Sequence, residues 1–570
     1  MALNLLASLP ICNFSRLPPI PSKGPISLVK SRSGIVVQCM PASKISNSST
    51  TLRRSANYQP TDWHYDFIQS LRNEYTGESC TRQNNMLKEQ VRMMPHKVVD
   101  PLGQLELIDI LQRLGISYHF EGEIKRILEG LNNNIDHALK FRLLRQHGYI
   151  FTDQRGSFKA CLCEDTKSML SLYEASFLSI ENENILEEAR EFSTKHLEEY
   201  VMQNKDTNLS ALVSHSLELP LHRRMLRLEQ RWFIDIYRSR EDMNPILLEL
   251  AELDFNMVQA VYQEELKQLS RWWKSTGLAG NLSFVRDRLL ECFLWSVGFI
   301  FQPQFGNCRR MSTKCNALIT TIDDIYDVYG TLDELELFTD AIERWDVNAM
   351  DGLPDYMKTS FLALYNSVNE MAFDTLKEQG INIVPYLKKV IYLLEAKWYN
   401  SGYTPSLQEY IENASISIAG PNQMVQAYIC VTNPLTRETL DYLNGYPNII
   451  RWSSLISRLE NDLGTSPDEL KRGDVPKSIQ CYMNETGASE EDAREYIRCM
   501  INATWKKMNE CIATSSLLSQ TFIEMTFNAP RMTYFMYHHG DGHGVGNHKI
   551  KDCILSLLVQ SIPLKKNSCD

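Results

Sequence analysis

The sequence predicts an all-α protein made of two helical domains that follow a basic leader. Apolar residues recur at helical spacing from residue 62 onward, alternation with a period of two is scarce, and Pro or Gly falls between the helical stretches. The 570 residues allow two or three domains, and a hydrophobic content of 43% is ordinary for a globular protein. No apolar run reaches the roughly 18 residues of a membrane-spanning helix, so we expect no membrane span.

The first 52 residues have the composition of an organelle transit peptide. They carry five Lys or Arg and ten Ser, and no acidic residue precedes Asp62. An early Arg-rich amphipathic helix is missing, which favours a plastid over a mitochondrion. We therefore expect a plastid transit peptide over 1–52 and a mature protein in the chloroplast stroma. A disordered tail with a chance bias in composition is the alternative.

A domain boundary is predicted near residue 275. Residues 244–273 keep a helical pattern for thirty residues, and the Gly and small polar residues of "STGLAGNLS" (275–283) then interrupt it. We expect an N-terminal helical domain over 53–274 and a C-terminal domain over 275–570.

Charge and cysteine content exclude some classes of protein. The net charge of −11 disfavours a nucleic-acid partner, because phosphate backbones are bound by clustered Lys and Arg. The fourteen cysteines include no CxxC pair, so we expect reduced thiols that pack as small apolar groups.

Three acids directly follow an apolar stretch in "CNALITTIDDIYD". Asp323 and Asp327 are four residues apart and share one helix face, while Asp324 lies about 100° away. Two like charges on one face repel each other unless a cation lies between them, and Mg²⁺ prefers such oxygen ligands. The preceding apolar residues argue against a fully solvated surface, so this segment predicts one wall of a metal site.

A second oxygen-rich face is found in "LENDLGTSPDELKRGD". Asn461, Thr465 and Glu469 recur at intervals of four residues, which places them on one helical face. Ser466, Pro467 and Glu469 equally fit a capping box with proline at the first helical position. Both interpretations remain open at this point.

Basic residues accompany the two acidic segments. Arg286 and Arg288 precede the aspartates by about 35 residues, whereas Arg458 and Lys477 flank the second segment. Together with two oxygen-rich faces, they suggest a cation cluster that clamps a diphosphate.

These motifs, in this order, resemble those of plant terpene synthases of the monoterpene type. The resemblance rests on "DDIYD", "NDLGTSPDE", "RDR", "RRSANYQPTDW", "SRWWKSTGL" and "HHGDGHGVGN", and it extends from Arg53 to the C-terminus. It implies a class I terpenoid-synthase helical bundle in the C-terminal domain and an α-barrel-like N-terminal domain. It also implies a cluster of Mg²⁺ or Mn²⁺ ions and a prenyl diphosphate substrate.

The resemblance also assigns roles to individual residues. Asp323 and Asp327 are expected to contact the substrate as well, together with Arg286, Arg458 and Asn461. The expected metal ligands are Asp323, Asp324, Asp327, Asn461, Thr465 and Glu469. The expected catalytic residues are Arg286, Arg288, Arg458 and Lys477 at the diphosphate, Trp295 and Tyr534 as aromatic faces, and Arg53 and Arg54 of the N-terminal motif, which is linked to substrate isomerisation.

Two segments affect how this resemblance is interpreted. Ser415 stands where relatives commonly carry Trp, and Asn422, Gln423 and Gln426 stand where they carry apolar residues or His. A water held by the amides would favour an alcohol product; the alternative is that these residues face solvent and have no effect. The His- and Gly-rich segment 538–547 is predicted to be a capping loop, because its histidines lack zinc spacing.

The resulting expectation is a monoterpene synthase that converts geranyl diphosphate to diphosphate and a C10 olefin, cyclic or acyclic, or alcohol. A sesquiterpene or hemiterpene synthase, and a non-catalytic helical protein that binds prenyl diphosphate, are the alternatives. We expect a monomer or a weak homodimer.

Overall fold

The computed structural model describes residues 53, 55–98, 100–130, 138–147, 165–204, 207–389, 392–515, 517–544 and 547–564. Every regular element in these ranges is a helix, which confirms the all-α class. All of them belong to one compact unit, and none of the described helices is long and apolar enough to cross a membrane. The predicted transit peptide (1–52) and Arg54 lie outside the described residues.

The described helices of the first half end at Thr276. They are α1 (Tyr65–Ser70), α2 (Glu78–Arg92), α3 (Met94–Lys97), α4 (Pro101–Arg113), α5 (Glu121–Gly130), α6 (Ala138–Gln146), α7 (Thr166–Ser176), α8 (Asn184–Gln203), α9 (Asn208–Glu218), α10 (Leu226–Arg238) and α11 (Pro245–Thr276).

The second half contributes further α-helices and two π-helical turns, Ile325–Tyr329 and Leu555–Val559. The α-helices are α12 (Leu278–Asn281), α13 (Leu289–Phe299), α14 (Gly306–Asp324), α15 (Leu332–Arg344), α16 (Asp355–Gln379), α17 (Val384–Leu387), α18 (Leu393–Ser401), α19 (Leu407–Ser417), α20 (Gly420–Val431), α21 (Arg437–Asn444), α22 (Asn448–Arg472), α23 (Ser478–Thr486), α24 (Glu490–Thr514), α25 (Gln520–Tyr537) and α26 (His548–Ile554).

Helix α11 links the two halves. The Asn244 side chain accepts from the N–H groups of Ile246 and Leu247, and Gly277 ends the helix in the left-handed conformation that glycine adopts without strain. The helix packs on α2 and α10 of the first half and on α13 and α14 of the second half. One buried apolar core accordingly runs through both halves, and a smaller one lies among α7, α8 and α9.

Five helices of the second half close a ring. Helix α14 packs on α13, α13 on α25, α25 on α22, α22 on α20, and α20 on α14. The helices α14 and α22, which carry the two oxygen-rich segments, are therefore separated by α20 on one side and by α13 and α25 on the other.

Two ring helices contain a proline whose missing N–H is replaced by a side chain. Proline cannot donate to the carbonyl four residues earlier. In α22, Arg494 donates to the carbonyl of Leu463, the acceptor that Pro467 leaves free, at 2.9 Å. In α25, Ser453 does the same for Thr526, four residues before Pro530, at 2.7 Å. Helix α22 is thus continuous through Pro467, and the capping-box interpretation of this segment is wrong.

Candidate active site

The ring encloses a cavity with an empty volume of about 1240 Å³, open solvent at its mouth included. One part of its wall carries acids and bases, and the rest combines apolar side chains with neutral polar ones, mainly Ser, Thr, Asn and Gln. The ionisable residues in the wall are Arg286, Asp323, Asp327, Arg458, Glu469, Arg472, Asp474, Lys477, Asp541 and His543, together with the phenols Tyr58, Tyr392 and Tyr537. The apolar residues are Trp295, Phe299, Ile319, Val328, Ile418, Met424 and Ala529.

The first acidic segment lies where α14 changes into a π-helical turn. Asp323 and Asp327 line the cavity, as their spacing predicts. Asp327 is exposed to the cavity, and the protein that surrounds it there, together with the neighbouring charge of Asp323, raises its pKa above the usual value. The charge of Lys477 opposes this shift, and a cation bound nearby would likewise favour the charged carboxylate.

Asp324 has a different environment from its two neighbours. It is fully buried and does not line the cavity. Its Oδ2 accepts from the backbone N–H of Arg286 at 2.8 Å, and the Arg286 Nε lies 2.8 Å from Oδ1 at an angle too bent for a hydrogen bond. The same guanidinium donates to Asp323 Oδ2 at 2.5 Å. Burial raises the pKa of Asp324 to about 7 although Arg286 opposes the shift. Asp324 therefore orients Arg286 toward the cavity.

The second oxygen-rich face is part of α22. Asn461, Thr465 and Glu469 all line the cavity, so the helical interpretation of their spacing is the one that the fold adopts. Burial raises the pKa of Glu469 to about 7, although the Lys477 charge opposes this. Among the described residues, Glu469 Oε2 has no hydrogen-bond partner.

Two buried cations complete this side of the cavity. Arg458 donates from Nε to the Tyr410 hydroxyl at 2.7 Å and lies 2.9 Å from Asp462 Oδ1. Lys477 Nζ lies 3.2 Å from Glu395 Oε2. Burial alone would lower the pKa of Lys477, but the charge of Glu395 raises it overall. Both cations therefore stay charged in a site with little water.

The donor set fits divalent metal ions under one condition. Carboxylate, amide and hydroxyl oxygens are the ligands that Mg²⁺ and Mn²⁺ prefer. Glu469 Oε2, which has no hydrogen-bond partner among the described residues, is available to bind a metal ion. Within the part of the chain that the structure describes, no three His, Cys, Asp or Glu side chains converge closely enough to hold an ion by themselves. Ions held here would need further oxygens from a bound ligand or water, as magnesium at phosphates commonly does.

Arg53 and residues 55–63, called the cover below, contribute Tyr58 to the cavity wall and are fastened at both ends. Arg53 binds both carboxylate oxygens of Glu334, at 2.5 and 2.8 Å, and packs on the Tyr356 ring. Trp63 donates from its indole to Glu291 at 3.2 Å. Between these anchors Tyr58 lines the cavity. Arg53 itself does not, so the structure places it as an anchor of the cover.

Arg288 joins this cover to the loop that follows α25. Its guanidinium donates to the carbonyls of Gln59, His543 and Gly544, at 3.0, 3.1 and 3.2 Å, and it does not line the cavity. His543 does line it, with Nε2 at 3.1 Å from the Thr320 hydroxyl. Burial, with Arg286 and Arg288 nearby, lowers the pKa of His543 to about 3, so it is neutral.

The two aromatic candidates are in different places. Trp295 lines the cavity, whereas Tyr534 lies outside it and stacks on the His538 ring at 4.4 Å. Tyr537, three residues further along α25, lines the cavity instead. Residues three apart on a helix lie about one turn apart and on neighbouring parts of the same face, so periodicity alone gave no signal for choosing between these two tyrosines.

Only one of the four unusual polar residues faces the cavity. Gln423 lines it and donates to Asn316 Oδ1 at 2.8 Å. Asn422 bonds instead to the Lys389 carbonyl, and Gln426 accepts from Ser312 at 3.2 Å. Ser415 is half-buried outside the cavity.

Sequence reasoning missed several residues that build the site. Glu395 and Tyr410 hold the cations, and Tyr58, Tyr537 and His543 face the cavity. Glu395 lies 63 residues before Arg458 and 82 before Lys477. No local spacing could reveal these pairings.

The fold and the site define an all-α protein whose helical ring holds acids and buried cations around a partly apolar cavity. That arrangement suits an enzyme that handles an anionic group attached to a hydrocarbon. Two family models match the chain: "Terpene synthase, N-terminal domain" over residues 62–217 and "Terpene synthase family, metal binding domain" over 274–507.

Known proteins give the same result. A chloroplastic myrcene synthase of Quercus ilex is 68% identical over the whole of both chains. A limonene synthase crystallised with 2-fluorolinalyl diphosphate has a TM-score of 0.86 at 45% identity, covering 90% of this chain and 100% of that one. An isoprene synthase of grey poplar (Populus x canescens), solved with three Mg²⁺ ions and dimethylallyl-S-thiolodiphosphate, has a TM-score of 0.79 at 46% identity, over 88% of this chain and 99% of that one.

The chain therefore belongs to the terpene synthase family. It is an enzyme of the carbon–oxygen lyase type, with a metal-binding domain in its second half.

Proposed function

We propose that the enzyme is a monoterpene synthase that ionises geranyl diphosphate and releases diphosphate and a C10 terpene. The observation that carries this proposal is the pairing, in one cavity, of acids on α14 and α22 with the buried cations Arg286, Arg458 and Lys477. The names of the relatives, a myrcene and a limonene synthase among them, support the C10 substrate.

The chain's own residues would act on the leaving group. Divalent ions, Mg²⁺ or Mn²⁺, would neutralise diphosphate oxygens as the allylic C–O bond breaks. Asp323, Asp327, Asn461, Thr465 and Glu469 are the proposed ligands. Arg286, Arg458 and Lys477 would bind the departing diphosphate with charge-assisted hydrogen bonds, a preorganised contribution that acts where charge develops.

The rest of the cavity would act on the hydrocarbon. Tyr58 and the anchors of the cover exclude water while the carbocation exists. The face of Trp295 would stabilise positive charge. His543 is neutral at the cavity wall, so it adds no positive charge that would repel the carbocation.

We further propose that the enzyme works in the chloroplast stroma as a monomer or weak homodimer, with the domains divided near residue 275. The chloroplastic label of the Quercus ilex relative supports the plastid. A hemiterpene synthase is the second candidate, because the isoprene synthase is also similar in fold.

The test is to incubate the protein with C5, C10 and C15 prenyl diphosphates and Mg²⁺, and to analyse volatiles and released diphosphate. Preferred turnover of the C10 substrate supports the proposal. Preferred turnover of the C5 or C15 substrate, or binding without diphosphate release, contradicts it.

A further inference from the structure

A buried carboxylate lies directly behind the two cations of α22 and the following loop. Glu395, on α18, does not line the cavity, whereas Arg458 and Lys477 do. Its Oε2 receives Lys477 Nζ at 3.2 Å and Arg458 Nη2 at 3.4 Å. Glu395 therefore joins two cations that would otherwise repel each other.

The other oxygen of Glu395 is held by α19. Oε1 accepts from the Ser417 hydroxyl and from Asn413 Nδ2, the latter at 3.3 Å. Because Oε1 is fixed in this way, Oε2 is aimed at the cations. Burial opposes the charge of Glu395, yet Lys477 and Arg458 lower its pKa to about 2. The carboxylate is ionised and rigidly placed.

We propose that Glu395 is a positioning residue that keeps Arg458 and Lys477 side by side and charged, so that together they receive the diphosphate. This inference rests on the proposed function. A buried Lys without a counter-ion sheds its proton or moves toward water, and Arg458 alone retains its Tyr410 and Asp462 contacts. Lys477 is therefore the cation that depends most on Glu395.

The test compares Glu395→Gln and Glu395→Asp in the full chain. Gln keeps the shape but presents an amide where a carboxylate faced two cations, whereas Asp retains the charge. A matched control is Glu265→Gln, which removes an equally buried carboxylate from its ion pair with Arg309, at 2.8 Å and away from the cavity. The readouts are kcat, KM for geranyl diphosphate, inhibition by inorganic pyrophosphate with Mg²⁺, and Tm.

For Glu395→Gln we expect pyrophosphate to bind about tenfold more weakly and kcat/KM to fall about 100-fold, the scale of a misplaced catalytic contact. We expect Glu395→Asp to recover part of both. Glu265→Gln should lower Tm and leave pyrophosphate inhibition unchanged. In a Lys477→Met background, Glu395→Gln should cost much less than it does alone, because coupled residues are not additive.

Two results would overturn the inference. If Glu395→Gln only lowers Tm, as the control does, the carboxylate is structural. If Glu395→Gln tightens pyrophosphate binding, Glu395 reduces the affinity of Arg458 and Lys477 for the anion rather than positioning them to bind it. Failure of the proposed function is a separate result, because the unsubstituted protein would then release no diphosphate from geranyl diphosphate. Titration calorimetry of inorganic pyrophosphate with Mg²⁺, which needs no turnover, would still report on Glu395.

Discussion

The polar end of the cavity and its apolar wall are built in different ways. At the polar end the cations have carboxylates beside them: Asp324 lies next to the Arg286 guanidinium, and Glu395 next to Lys477. The rest of the wall combines packed apolar side chains such as Trp295 and Met424 with neutral polar groups, the Gln423 amide among them. Under the proposed function, fixed charges would hold the leaving group, whereas packing and neutral dipoles would shape the hydrocarbon.

The largest effect should come from the polar end. Asp323→Asn removes a charge from the α14 side of the proposed metal site, and we expect diphosphate release to fall by about 10³-fold, the upper range for loss of one preorganised electrostatic group. The fold should persist, because the Asp323 side chain is 35% exposed. Released diphosphate is the readout.

Asp333→Asn is the matched control for this change. Asp333 is an exposed acid in the first turn of α15, close in sequence but outside the cavity. Its loss should leave turnover within about twofold, as surface substitutions do. Equal losses in both variants would show that the polar end has no special role.

The apolar wall should respond more weakly and mainly in product identity. Trp295→Ala removes an aromatic face, and a cation–π contact of about 1–2 kcal/mol corresponds to a rate loss of about tenfold. We expect an altered mixture of volatiles with diphosphate still released. Tyr534→Phe should change neither, because Tyr534 lies outside the cavity. An effect of Tyr534→Phe with none of Trp295→Ala would contradict the assignment of the wall.

The Gln423 amide offers a finer test of the wall. If it holds a water, Gln423→Leu should lower the share of alcohol among the products, while Ser415→Ala, outside the cavity, should leave that share unchanged. Gas chromatography of volatiles gives the ratio. A wild-type product mixture that contains only olefins would remove the water hypothesis altogether.

Features of the site that depend on one helix could be predicted from the sequence, whereas those that depend on contacts between helices could not. Spacing on one helix placed Asp323 and Asp327 together, and also Asn461, Thr465 and Glu469, because a helical period needs no tertiary information. The choice at Pro467 could not be made in advance, since the replacement donor, Arg494, comes from another helix.

Contacts between distant segments remained beyond sequence reasoning. Asp324 shares a motif with Asp323 but accepts from the backbone N–H of Arg286. Arg288 shares a motif with Arg286 but donates to four backbone carbonyls. Such directions are set by packing around the π-helical turn and the cover. A local pattern specifies neither.

The smallest expected effect is on stability. Folding lowers the pKa of His543 to about 3 from its usual 6.5, so the unfolded chain takes up a proton first as pH falls below about 6.5, and stability decreases from there toward pH 3. Between pH 7 and pH 5 the wild type should lose about 2 kcal/mol more unfolding free energy than His543→Gln. Urea denaturation at both pH values measures this, and parallel losses would contradict it.

Dependence on divalent metal tests the central claim most directly. Diphosphate release from geranyl diphosphate should be measured in excess chelator and again as Mg²⁺ is restored. We predict that turnover disappears in chelator and returns with Mg²⁺, because the acids of α14 and α22 then regain the ions that engage the leaving group. Equal turnover in excess chelator would contradict the account.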